Sequence, residues 1–141
     1  MLSQEDNELL TRIGPDTPGG ALLRRYWQPV AATAELTDEK PIMKLRVLGE
    51  DLVLYKGTDG GYGLVGEQCP HRFASLSYGR VEGNCIRCPY HGWKYDAEGH
   101  CVEMPAEPNT TAFADTVIHT AYPVRRLGGL LFTYMGPAPT P

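Results

Sequence analysis

The strongest constraint on this chain is a pair of short segments, Cys69-Pro70-His71-Arg72 and Cys88-Pro89-Tyr90-His91-Gly92-Trp93. The spacing is Cys-x-His, sixteen residues, then Cys-x-x-His. Proline stiffens the backbone beside each cysteine, and Gly92 permits a close turn behind His91. Such segments belong to loops, and the sequence around them is written in short strands. Met43, Leu45 and Val47 alternate with Lys44, Arg46 and Leu48, the pattern of a half-buried strand. A turn at Glu50-Asp51 leads into 52–55, and Gly57-Thr58-Asp59-Gly60-Gly61 is a hairpin turn into 62–65. Further strands are expected at 84–87, 93–95 and 101–104, with a turn at 96–99. A last hairpin is expected over 122–127 and 130–135, around Gly128-Gly129. Before the strands, 3–14 reads as a helix capped by Ser3 with Asp6 and stopped at Gly14-Pro15. A second helical turn over 19–27 sets Leu22, Leu23 and Tyr26 on one face. The expected fold is mainly β, an antiparallel barrel or sandwich with a short helical N-terminal arm. Residues 1–27 form the arm, 28–135 the β domain and 136–141 a Pro-rich exit linker.

Composition narrows the function classes. A chain of 141 residues buries about two-thirds of its unfolded surface, so it needs no metal merely to fold. Its 13 basic and 17 acidic residues give a net charge of −4, which disfavours nucleic acid. Apolar runs are too short and interrupted to span a membrane. The opening MLSQEDNELL carries acids where a secretory signal has Lys or Arg, so a cytoplasmic protein is expected. Four cysteines in such a chain point to metal or buried thiols rather than to disulfides.

Each loop offers one thiolate and one imidazole. Cys69, His71, Cys88 and His91 are together the donor set of a Rieske 2Fe–2S centre, which has two Cys on one iron and two His on the other. Soft thiolates suit the inner iron, and neutral imidazoles suit the outer one. The competing reading is zinc. Cys85 and Cys88 form Cys-x-x-C, and with Cys69 and His71 they make four ligands of a zinc-stabilised interaction module. That set leaves His91 unused and draws Cys85 out of a strand. Taken singly, Cys85 and Cys101 read as small buried hydrophobes, and His100 and His119 as surface or sheet residues. Trp93 is expected to pack behind His91, and Arg24-Arg25 and Arg125-Arg126 read as solvated pairs.

The two loops resemble those of Rieske proteins. The chain as a whole is similar to the N-terminal part of the large component of phthalate-type ring-hydroxylating oxygenases. The resemblance is carried by Glu8-Leu9-Leu10-Thr11-Arg12, Leu23-Arg24-Arg25-Tyr26-Trp27, Leu48-Gly49-Glu50-Asp51-Leu52-Val53, both cluster loops with Lys94-Tyr95-Asp96, and Ala121-Tyr122-Pro123-Val124. Phe73 departs from it, standing where a small or basic residue is expected.

The resemblance implies an electron-transfer part of an aromatic-ring oxygenase, with one 2Fe–2S cluster on Cys69, His71, Cys88 and His91. A flavin or iron–sulfur reductase is the implied donor, and a catalytic oxygenase domain is the acceptor. That domain holds a mononuclear non-haem iron on two His and a carboxylate, and it is absent here, since only His100 and His119 remain. Oxygenation by this chain alone is therefore not expected. The full-length relatives of this type form homotrimers. A free-standing Rieske ferredoxin is the alternative, although the arm at 3–27 and the Pro-rich ending favour an excised domain. Met104-Pro105-Ala106-Glu107-Pro108 resembles the proline loop that covers the cluster. Respiratory Rieske proteins carry an extra Cys in each loop and a Ser after His-Gly. Here those positions are Ala74, Tyr90 and Trp93, which implies a potential near the low end of the range of about −150 to +300 mV.

Overall fold

Strand β3 (Glu50–Lys56) organises the molecule because it is apolar on both faces. Successive side chains of a strand point to opposite sides. Leu52 and Leu54 therefore enter one core with Leu36, Leu64, Leu131 and Met135. Val53 and Tyr55 enter a second core with Val65, Leu76, Ile86, Trp93 and Tyr95. The computed structural model describes residues 1–105 and 110–141.

Three antiparallel sheets wrap these cores. The first is ordered β1 (Gln28–Ala32), β11 (Leu130–Thr133), β10 (Val124–Leu127). The second runs β2 (Ile42–Val47), β3, β4 (Tyr62–Gly66), β9 (Ala121–Tyr122). The third runs β5 (Arg80–Glu82), β6 (Cys85–Arg87), β7 (Lys94–Tyr95), β8 (Cys101–Glu103). The expected mainly antiparallel β fold is therefore observed. No helix of the described residues is long and apolar enough to cross a membrane.

Several local expectations shift. The turn before β3 falls at Leu48-Gly49, with φ of 45° and 83°, and not at Glu50-Asp51. Glu50 already pairs with Val47. Two positive φ values match the twist of a tight hairpin, and Arg24 Nη2 donates to the Leu48 carbonyl at 3.1 Å. A Cβ on Gly49 would stand 2.7 Å from Gly14 Cα, so the arm packs on this turn. Arg24 is consequently no solvated residue: it also pairs with Glu50 at 2.6 Å.

Helix α1 (Gln4–Thr11) starts as expected, with Ser3 Oγ accepting from Asp6 N–H at 3.0 Å. Helix α2 is shorter than expected, Pro18–Leu23. Gln28 Nε2 donates to the carbonyls of Leu23 and Tyr26 and ends the helical segment there. Of the expected apolar face only Leu23 packs into the core; Leu22 and Tyr26 are exposed. The last expected hairpin is split at Pro123: β9 pairs with β4, while β10 pairs with β11. Strand β5 and helix α3 (Thr110–Ala114) lie where no element was expected.

Candidate metal centre

Both Cys/His segments are tips of closed loops. The first leaves β4 and is pinched by a bridge between Gln68 and Ser75. Inside it, Cys69 N–H donates to the Ala74 carbonyl at 2.9 Å, and Phe73 N–H to the Cys69 carbonyl at 2.8 Å. Phe73 takes φ 57°, a left-handed conformation unusual for an aromatic residue. The second tip joins β6 to β7, where Arg87 pairs with Lys94. Cys88 N–H donates to the Trp93 carbonyl at 2.8 Å, and Gly92 turns the loop at φ 78°.

The donors fall into two pairs of opposite exposure. Cys69 and Cys88 are 1% and 3% exposed and belong to the second core. His71 and His91 are half-buried at the rim, their rings edge-on at 4.6 Å between centroids. Among the described residues, no three His, Cys, Asp or Glu side chains gather tightly enough for a single ion. Two separated pairs suit a two-metal group with a thiolate end and an imidazole end. Cys85 does not join them. It is half-buried at the start of β6, opposite Glu82, and borders a separate cleft with Tyr55 and Glu98. Cys101 is buried as expected.

Burial pushes the Cys69 thiol up, opposed by the Tyr95 hydroxyl 3.3 Å from its sulfur. A thiolate in this apolar core needs cationic charge beside it, and bound metal supplies that. Burial, and then Cys69 itself, pushes the Tyr95 phenol far up, so its hydroxyl stays protonated and can donate to a metal-bound thiolate. The residues present thus fit a cluster with two thiolate ligands inside and two imidazoles outside.

The loops are braced from behind. Arg87 is buried, and its Nη1 donates to the Gly92 carbonyl at 2.6 Å. Its guanidinium also binds Glu82 at 2.7 Å and Glu103, and Lys94 reaches Glu103 at 3.3 Å. Trp93 corrects its expectation: it lies flat on His71, with centroids 4.4 Å apart and planes 1° apart, and not behind His91. The flat stack follows from Trp93 being the last residue of the second loop, where its inward side chain meets the first loop's tip. His119 is also no surface residue. It is buried against Tyr95, with Nε2 2.8 Å from the Gly66 carbonyl, and burial lowers its pKa. His100 is exposed, as expected. Of the segment expected to cover the cluster, Met104 is buried and Pro105 lies against Gly92, while residues 106–108 fall outside the described residues.

Sequence reasoning missed Tyr95 and Arg87. The signal for both was position: Arg87 directly precedes Cys88, and Tyr95 lies two residues after Trp93, so each sits on a strand that frames the second loop.

A β domain with paired thiols inside and paired imidazoles at its rim is the architecture of an iron–sulfur electron-transfer domain. The chain belongs to the Rieske [2Fe-2S] domain family, which residues 26–122 match. It is 51% identical to the oxygenase subunit of 5,5'-dehydrodivanillate O-demethylase from Sphingobium sp. (strain NBRC 103272 / SYK-6), over 100% of this chain and 34% of that protein. It is 47% identical to the phthalate 4,5-dioxygenase oxygenase subunit of Pseudomonas putida, over 97% of this chain and 31% of that protein. Among solved structures, dicamba monooxygenase with non-heme iron and dicamba superposes with a TM-score of 0.70 at 30% identity, covering 83% of this chain and 35% of that one. The chain thus spans about a third of the length of these relatives. It is a Rieske part of the kind found in phthalate-type oxygenase subunits, its cofactor is the 2Fe–2S cluster, and its role is electron transfer.

Proposed function

We propose that Cys69, His71, Cys88 and His91 hold the cluster, and that the chain relays single electrons from a reductase to the non-haem iron of an aromatic-ring oxygenase. The observation that carries this reading is the asymmetry of the site. Both cysteines are sealed in the core, while the two histidines reach the rim beside exposed Phe73 (71%) and Tyr90 (64%). When bound, the cluster stores one electron. The protein holds its thiolate end away from water and presents its imidazole end, where a partner can approach closely. Tyr95 keeps a donor on Cys69. The Arg87 cluster holds the second loop, and so His91, in place.

The acceptor iron, with its open positions for oxygen, belongs to a catalytic domain beyond this chain, and the donor is a flavin or iron–sulfur reductase. Full length, the protein is a cytoplasmic oxygenase subunit. A homotrimer would let one subunit's cluster serve its neighbour's iron. The test is to give the cluster-loaded chain a flavin reductase, NADH, labelled oxygen and a panel of aromatic acids. The cluster is reduced and passes its electron to an added acceptor, and no product carries the label. Labelled product above a catalase-treated control would overturn the reading that catalysis lies elsewhere.

A further inference from the structure

The indole N–H of Trp93 is the one buried side-chain nitrogen or oxygen among the described residues with no hydrogen-bond partner. Trp93 is 5% exposed, so bulk solvent does not reach it. Burying a donor without an acceptor is unfavourable, and folded proteins rarely leave one so. A phenylalanine would keep the flat stack on His71 without an unmatched donor. The surroundings narrow what the missing acceptor can be. Trp93 lies between His71 and Phe113 in the core that also holds Cys69, Cys88, Tyr95, Cys101 and Met104, and none of these accepts from its indole. What a bound 2Fe–2S group would add here is bridging sulfide, more electron-rich than the thiol and thioether sulfurs already present.

We propose that the Trp93 indole N–H donates a hydrogen bond to a bridging sulfide of the cluster and thereby raises the cluster's reduction potential. The inference rests on the reading that Cys69, His71, Cys88 and His91 hold the cluster. Its physical basis is that a donor aimed at sulfur favours the reduced form, which carries one more negative charge. Trp93 thus combines two actions in one ring: its face fixes the orientation of His71, and its edge tunes the sulfur. Trp93 is a positioning and tuning residue, not a ligand.

The experiment compares cluster-loaded wild-type chain with Trp93→Phe. In the reduced state, proton and deuteron hyperfine spectra after exchange into heavy water resolve an exchangeable proton that Trp93→Phe loses. The variant's potential shifts to a more negative value while its visible spectrum stays of the Rieske type. An unchanged set of exchangeable couplings together with an unchanged potential would overturn the proposal. If Trp93→Phe does not load a cluster, indole-15N labelling in a Trp27→Phe background decides. Trp27 packs far along the chain against Tyr134 and Arg125, so removing it leaves Trp93 the only labelled ring. A 15N coupling to the reduced cluster supports the bond, and its absence overturns it. Imidazole nitrogen couplings in the same spectra report the ligand set separately; their absence would strike the ligand reading itself.

Discussion

At the scale of single residues, chemistry divides the four cysteines. Cys69 and Cys88 are buried together with histidines in their own loops, whereas Cys85 starts a strand and Cys101 lies in β8. Cys69→Ser and Cys88→Ser are therefore expected to lose the visible spectrum of the reconstituted chain, while Cys85→Ser and Cys101→Ser keep it. Loss in Cys85→Ser alone would revive the zinc-like set. Tyr95 gives a finer prediction. Its hydroxyl lies 3.3 Å from the Cys69 sulfur and can only donate to a metal-bound thiolate there, so Tyr95→Phe should retain the cluster and lower its potential, read by a redox titration. A potential equal to the wild type's would mean that this contact does not act on the cluster. The four proposed ligands stand out in the sequence because ligation demands particular residue types at particular spacings. The supporting residues were not. A tyrosine in a strand and an arginine before a loop are common, and only the fold turns the Tyr95 hydroxyl onto Cys69 and the Arg87 guanidinium onto Gly92.

Among the elements, close backbone approaches and a charge cluster around the buried Arg87 hold the loops. Gly99 has φ 90°, and a Cβ there would stand 2.1 Å from the His119 carbonyl oxygen. Gly99→Ala would both strain the backbone and push β8 from the segment carrying His119. A loss of about 1–3 kcal/mol is expected in chemical denaturation; a change within experimental error would show that the turn is not under this constraint. Arg87 and Arg80 hold Glu82 well below the usual carboxylate range, at about 2. A carboxylate whose folded pKa is depressed adds stability above its unfolded value, about 4.5, and that stability is lost as pH falls toward 2. Glu82→Gln should lower the thermal midpoint at neutral pH, and its gap from wild type should close between about pH 4.5 and 2. A gap independent of pH would place the effect in packing rather than charge. Strand positions were readable wherever apolar and polar residues alternate, as in β2, or run continuously, as in β3. The short pieces were not. Strand β5 has three residues and gains its order from pairing with β6, and the split at Pro123 depends on which sheet each half meets.

The whole molecule is arranged as an electron-transfer domain. β3 divides two cores: one joins the arm's Leu23 to the first sheet, and the other encloses the thiols and the rings behind them. The fold class was legible because tight turns between short strands leave few alternatives, whereas the packing of the arm on the Leu48-Gly49 turn depends on contacts between residues far apart in sequence. The account stands on one group of defined composition held by four named residues. The direct measurement is an anaerobic redox titration of the reconstituted chain, with iron, sulfide and zinc analysed on the same sample. The account predicts the two irons and two acid-labile sulfides of a [2Fe-2S] group and uptake of a single electron per chain, all lost in Cys88→Ser and severely reduced in His91→Ala. Stoichiometric zinc without sulfide, or a chain that takes up no electron, would contradict it.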